Sequence, residues 1–233
     1  MSKVLHVLLK DPQIQLMKKP QLKEYSELMT DLFIGDPCTR LQMDGMKLQR
    51  AREIFHAQCL GQLEVYASRK AVFYLKEGGG FFIGYSDKDI TNMKLVSVAM
   101  MTGKYVRRIL EKADSDILRE NAEFLAKINP GEWYRDMIKG ERFHLLAVGV
   151  DPAKKGSGAF RTLMSAVIRA CDKVNIPITL EMHNDLNRPL FERFGFEVIK
   201  RVEDETVDIA CTCMLRRPQA SALPESDRDE TGL

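Results

Sequence analysis

The stretch Phe143-His-Leu-Leu-Ala-Val-Gly-Val150-Asp-Pro-Ala-Lys-Lys155-Gly-Ser-Gly-Ala-Phe160 joins a continuous apolar run to a glycine-rich turn and the start of an amphipathic helix. The run Phe143–Val150 is broken only by His144 and Gly149, which reads as a buried strand. Phe160, Leu163, Met164, Val167, Cys171 and Val174 then recur at helical spacing. Working outward, Ile176–Met182 reads as a strand, Asn187–Phe194 as a short helix, and Phe196–Val202 and Thr206–Arg216 as strands. The C-terminal half is thus strand–helix–strand–helix–strand–strand, an α/β arrangement.

Glycines between a buried strand and a helix let the backbone approach a ligand closely. The free N–H groups at the helix start then face that ligand, and the helix dipole favours negative charge. Lys154, Lys155 and Arg161 add positive charge, so the segment suits a pyrophosphate. By itself a Gly-x-Gly is equally well explained as a plain strand-to-helix turn. A Rossmann dinucleotide site is disfavoured: the third glycine is missing, and no acidic residue ends a following strand at the usual distance.

Upstream the pattern is looser. Val4–Leu9 and Gln13–Lys18 read as strands, or as one strand turning at Asp11-Pro12. Leu22, Tyr25, Met29, Leu32 and Phe33 form a helical stripe that Gly35-Asp36-Pro37 ends. A second stripe runs through Leu48, Ala51, Ile54, Phe55 and Cys59, and Leu63–Leu75 reads as strand. Gly78-Gly79-Gly80 precedes the strand Phe81–Tyr85, so a hairpin turn is the better reading than a phosphate loop, which would open a helix. Met93–Leu110 reads as helix, and so does the stripe Ile117, Asn121, Phe124, Leu125, Ile128, capped by Asp114 or Ser115 and stopped by Asn129-Pro130-Gly131. Residues 1–217 are expected to form one domain and Pro218–Leu233 a disordered tail, since the tail has almost nothing to bury.

The chain has 233 residues and a net charge of +2 from 35 basic and 33 acidic side chains. That balance argues for neither nucleic acid nor an anionic membrane as partner. The five cysteines form no Cys-x-x-Cys pair, so no zinc site and no disulfide framework is expected, and a reducing cytoplasm is the expected location. The apolar burst Val4–Leu9 is too short for a signal-peptide core, and no stretch approaches a transmembrane length.

Three phrases resemble the GNAT (N-acetyltransferase) superfamily. Leu145-Leu-Ala-Val-Gly-Val150-Asp-Pro152 is similar to that family's fourth strand and its Val-x-Pro exit, and Lys155-Gly-Ser-Gly-Ala-Phe160 to its Gln/Arg-x-x-Gly-x-Gly/Ala loop. Asn187-Arg-Pro-Leu-Phe191-Glu-Arg-Phe-Gly195-Phe196 is similar to its Leu-Tyr-x-x-x-Gly-Phe ending. Leu180-Glu181-Met182 and the Asn-x-Pro phrase resemble most the branch containing puromycin N-acetyltransferase. Three departures stand out. Lys155 replaces Gln/Arg, the large Phe160 ends the loop, and Phe191 replaces the tyrosine whose hydroxyl protonates the leaving thiolate. A second register takes Gly156 and Gly158 as the two loop glycines and places Ala153 at the Gln/Arg position.

The resemblance implies a mixed, mostly antiparallel sheet flanked by helices, split between Phe143–Val150 and Ile176–Met182 to admit pantetheine. It implies acetyl-CoA, or another acyl-CoA, as co-substrate and no metal. The residues it assigns to CoA are Val148, Gly149, Val150, Lys155, Gly156, Ser157, Gly158, Ala159, Phe160, Asn187 and Phe191. A strand bulge around Val148–Val150 would offer the oxyanion a backbone N–H. An amine attacks the thioester directly, so it must first lose a proton. Candidate bases are Glu181, His144 and Glu141, with Glu141 read as a solvated turn residue and His144 more readily as a hydrogen-bonded structural histidine. Glu181 sits on an apolar run where burial favours a basic carboxylate. Trp133 and Tyr134 either border the acceptor pocket or form a surface cover; Cys211 and Cys213 share one strand face as half-buried thiols; Glu203, Asp204, Glu205 and Asp208 read as a solvated hairpin tip. The acceptor expected is a primary amine of a small molecule. Protein N-acetylation and a non-catalytic acyl-CoA sensor are the alternatives, and a homodimer is left open.

Overall fold

A computed structural model describes residues 1–219; the predicted tail from residue 220 onward lies outside the described residues. Seven strands form one sheet in the order β1-β2-β3-β4-β5-β7-β6. They are β1 (Ile14–Leu16), β2 (Val72–Leu75), β3 (Gly80–Ser86), β4 (Phe143–Val150), β5 (Ile178–Met182), β6 (Glu197–Asp204) and β7 (Val207–Arg216). All neighbours are antiparallel except β4 and β5, which α7 (Ala159–Lys173) links as a crossover. The other helices are α1 (Lys3–Leu8), α2 (Lys19–Phe33), α3 (Pro37–Gln42), α4 (Leu48–Ser68), α5 (Asn92–Arg107), α6 (Lys112–Lys127) and α8 (Arg188–Glu192). The architecture is therefore the α/β, mostly antiparallel sheet that the resemblance implies.

The two faces of the sheet carry different cores. On one, α1 and α7 bury Val4, Leu8, Leu163 and Val167 against Phe143, Leu145, Ile178 and Leu180. On the other, α2, α4 and α5 bury Tyr25, Met29, Ile54, Leu63 and Val98 against Val72, Phe81, Ile83 and Tyr85. Beyond β4 that second face is covered by Trp133, which packs on Cys211, Cys213 and Leu215.

Two segments read as strand are helical. Val4–Leu9 folds as α1, because Val4, Leu5 and Leu8 present one buried stripe and the Ser2 hydroxyl caps the Leu5 amide at 3.1 Å. Leu63–Ser68 continues α4, with Leu63 and Tyr66 prolonging the stripe of Phe55 and Cys59. β-branched and aromatic content favoured strand there, but packing overrides so weak a preference. The start of α6 also differs: Glu111 is the cap residue, and Asp114, three residues on, accepts from the Glu111 amide (2.9 Å) and from Arg50 Nη2 (2.5 Å). The triple glycine closes the β2–β3 hairpin, as its position before a strand predicts.

The β4–β5 pair is joined only at its start, Phe143 with Ile178 and His144 with Thr179. Beyond those two pairs the strands diverge, as a split sheet requires. The bulge lies elsewhere than expected. Against β3, Ala147 faces Ile83 and Leu145 faces Gly84, so Leu146 is the extra residue, upstream of Val148–Val150. Leu146 and Ala147 consequently both turn toward α2 and α4, while Leu145 and Val148 face α7. Gly84 permits this: a Cβ there would lie 2.6 Å from the Phe143 ring.

Candidate functional site

The glycine loop lies beyond the open end of the gap. Gly156 and Gly158 both hold left-handed backbones (φ 82° and 86°), and Gly158 is the residue before α7. A side chain on either would meet open space, so conformation, not room, selects glycine. Among the described residues no group accepts from the amides of Gly158, Phe160 or Arg161; the Ala159 amide has only a 3.3 Å bond to Ser157 Oγ. Lys154, Lys155 and Ser157 are exposed, and the stem of Lys154 lies over Gly79. A cleft of about 990 Å³ opens here, reaching from Val150 past Gly156 and Phe160 to Asn187 and Arg193.

Phe160 turns away from this loop into an aromatic cluster. Its ring centroid is 5.9 Å from that of Phe191 and 5.8 Å from that of Phe194, and Phe191 is in turn 5.8 Å from Phe196. Phe191 and Asn187 also border a cavity of about 310 Å³ that follows the β4–β5 gap past Leu146, Ala147, Val148 and Glu181. Asn187 lines both the cleft and this cavity, which places them end to end. Gly149 is buried within β4, and Val150 is half-buried at its exit.

At the inner end, strand alternation gathers polar side chains on the face away from α7. Glu181 Oε1 accepts from Trp133 Nε1 at 2.5 Å, and Glu181 Oε2 lies 3.4 Å from His144 Nε2. The other ring nitrogen, His144 Nδ1, is 3.2 Å from Arg142 Nη1 and 3.3 Å from Thr179 Oγ1. Arg142 Nη1 also donates to Thr179 Oγ1 at 2.6 Å. A guanidinium can only donate, so Nδ1 is the acceptor and the neutral ring carries its proton on Nε2, facing Glu181. Burial pulls the His144 pKa down to about 4; nearby Arg142 adds to this, and Glu181 opposes it. His144 is thus a neutral ring with both nitrogens engaged, which suits it to holding Glu181 better than to taking a proton from a substrate.

Arg142 is itself anchored. Tyr134 stacks on its guanidinium at 3.4 Å, and Asp87 Oδ2 lies 3.2 Å from Nε as an ion pair, out of line for a hydrogen bond. Trp133 and Tyr134 therefore belong to this network and not to a surface cover. Glu141 is no solvated turn residue either: its side chain is 9% exposed, accepts from Ser86 Oγ and pairs with Lys88 Nζ at 2.7 Å.

Sequence reasoning missed Arg142, Thr179 and His183. His183 lies one residue past the end of β5, two beyond Glu181, and its ring interacts with the thiols of Cys211 and Cys38. A second cavity, of about 500 Å³, shares Cys38, Glu181 and His183 with the first and extends to His144 and Tyr134. The alternation Arg142-x-His144 and Glu181-x-His183 was the available signal, but nothing in the text says that these pairs meet. Among the described residues no group of three or more His, Cys, Asp or Glu side chains is arranged to hold a metal, and no helix is long and apolar enough to cross a membrane.

The family model described as "Acetyltransferase (GNAT) domain" matches residues 113–214, which span the split strands, the glycine loop and the polar cluster on β5 and β7. Over those residues the chain is similar to GNAT acetyltransferase domains. An uncharacterized N-acetyltransferase of Schizosaccharomyces pombe is 27% identical over 119 residues, 50% of this chain; the match spans 41% of that relative's length. The fold is shared with the structure of a histone acetyltransferase HPA2 and related acetyltransferase from Corynebacterium glutamicum, at TM-score 0.54 and 15% identity, covering 91% of this chain and 99% of that one. It is shared also with arylalkylamine N-acetyltransferase 2 of Aedes aegypti, at TM-score 0.55 and 12% identity, covering 89% and 99%.

Proposed function

We propose that this protein transfers an acetyl group from acetyl-CoA to a primary amine of a small molecule, by direct attack of the amine on the thioester. The observation that carries the reading is the continuity of three features. A loop with unspent amides opens onto a cleft, the cleft meets the β4–β5 gap, and the gap ends at Glu181.

In this reading the amides of Gly158, Phe160 and Arg161 take the pyrophosphate, with Lys154 and Lys155 adding charge. The pantetheine lies along Val148–Val150, and its thioester reaches Leu146–Val148, where the bulge leaves main-chain groups for the oxyanion. Glu181 accepts the ammonium proton. Trp133 donates to one of its oxygens, the His144 Nε2 edge faces the other at 3.4 Å, and together they hold the carboxylate in place. An ordinary amine has a pKa of roughly 10, so desolvation in the gap must ease that transfer. Phe191 has no proton to give, and a thiolate whose conjugate acid has a pKa of roughly 8.5 leaves tolerably without one.

The arylalkylamine acceptor named for the Aedes aegypti structure supports a small amine, as does a cavity of only about 310 Å³. The test is thiol release from acetyl-CoA with a panel of arylalkylamines, polyamines and N-terminal peptides. Turnover restricted to small amines supports the proposal; turnover restricted to peptides replaces it with protein N-acetylation. CoA binding with no turnover on any acceptor leaves a sensor.

A further inference from the structure

Cys38 has no place in the direct-attack scheme, yet it lines both inner cavities. It is the second residue of α3, held there by Asp36, whose carboxylate accepts the Cys38 amide at 3.0 Å. It is a free thiol and half-buried, whereas Cys59, Cys171, Cys211 and Cys213 are buried. The cavity it shares with Leu146, Ala147 and Val148 is the one that follows the β4–β5 gap. His183 lines the same cavity and interacts with Cys38 and with Cys211.

The surroundings of His183 suit it to handling protons. Burial works against its charged form, yet the Cys211 and Cys38 thiols outweigh burial and lift the ring to about 10. Cys211 is brought down to about 6, first by the Cys213 thiol and then by His183, against the effect of burial. A thiol and an imidazole on the wall of one cavity, beside the strand gap that the proposed function gives to the thioester, are the setting in which cysteine becomes an acyl acceptor.

We propose that Cys38 is an S-acylation site: its sulfur attacks the acyl-CoA thioester, and His183 relays the proton, giving an acyl-Cys38 and free CoA. The proposal rests on the reading that places the thioester in the β4–β5 gap. One bond from Cys38 sulfur to the acyl carbon forms, and the bond from CoA sulfur to that carbon breaks. The proton leaving the Cys38 thiol ends on the CoA thiolate, so no oxidant or further reactant is needed. One thioester replaces another of similar energy, so excess acyl-CoA fills the site and an acceptor amine, or free CoA, empties it. Cys38 then gives the acyl group a second resting place within reach of Glu181.

The experiment incubates the intact protein with excess acetyl-CoA and no amine, then maps adducts by mass spectrometry with and without hydroxylamine, which cleaves thioesters and spares amides. A hydroxylamine-labile acetyl group on Cys38 is expected, absent in Cys38→Ala and formed at least about tenfold more slowly in His183→Asn. CoA affinity is measured in parallel by calorimetry. Normal CoA binding with no labile adduct, or with the adduct on Cys211, overturns the S-acylation site and leaves the proposed function standing. Absence of CoA binding overturns both. The wild-type map decides the question even if a variant folds poorly.

Discussion

The two ends of the β4–β5 gap are built on opposite principles. At the loop, Lys154, Lys155 and Ser157 are exposed, and among the described residues the main-chain amides of Gly158, Phe160 and Arg161 have no acceptor. At the inner end, Arg142, His144, Thr179, Trp133 and Glu181 spend their side chains on one another. A site made of backbone tolerates side-chain change as long as the conformation survives. Lys155 standing where the family has Gln/Arg is therefore a mild departure. A site made of a side-chain network tolerates neither, because removing one member strands the rest.

The contrast is sharpest at Glu181. Glu181→Gln keeps the shape and removes the basic oxygen, so kcat should fall by about 10²–10⁴-fold while CoA affinity is unchanged. Steady-state kinetics with calorimetry on the same sample checks this. A kcat within a few-fold of wild type would falsify the assignment of Glu181 as base.

At the other end the expected effect is on binding. Gly158→Val places a β-branched side chain at φ 86°, a conformation that costs about 1–3 kcal/mol. CoA affinity should drop about tenfold or more, with little change in the polar cluster. Calorimetric affinity equal to wild type would show that the loop does not hold the pyrophosphate.

The inner network also predicts an acid limit on stability. The His144 pKa is lowered from 6.5 to about 4 in the folded chain. Unfolded chains therefore take up this proton first as pH falls. The associated stability is present above pH 6.5 and is lost between 6.5 and about 4, an effect of about 1–3 kcal/mol. Denaturant titrations across that window should show a flatter pH dependence for His144→Gln. Parallel curves for the two proteins would mean that His144 is not held neutral.

The smallest effect belongs to Lys155→Ala. An exposed cation near a phosphate contributes about 0.3–1 kcal/mol, so CoA should bind only about two- to five-fold more weakly, and less so in high salt. A loss as large as that of Gly158→Val would mean that charge, and not backbone, governs the loop.

The same division explains what could be read in advance. Strand Phe143–Val150, the glycine turn and the helix of Leu163, Met164, Val167 and Cys171 are consecutive in the chain, so their period and punctuation state the structure directly. Val4–Leu9 and Leu63–Ser68 misled because a short apolar run has no period of its own; burial against α7 in the first case, and continuation of an existing stripe in the second, made them helices. The bulge at Leu146 was out of reach for a similar reason. It depends on how closely Gly84 of β3 lets the Phe143 ring approach, a fact about two strands and not one.

The sequence by itself determined the α/β order of the C-terminal half and the glycine loop, because each rests on local hydrophobic period, glycine conformation and adjacency along the chain; the split of the strand pair was implied by the family resemblance. The sequence also sets Arg142 and His144, and likewise Glu181 and His183, two residues apart, the spacing that puts side chains on one side of an extended chain. Only the tertiary structure decided that the two pairs meet, that β7 lies beside β5 and brings Cys211 to His183, and that α3 brings in Cys38. Those contacts join positions separated by 28 to 145 residues. Their geometry is fixed by which strands become neighbours and how the helices close over them, a result of packing the whole chain that no local pattern records.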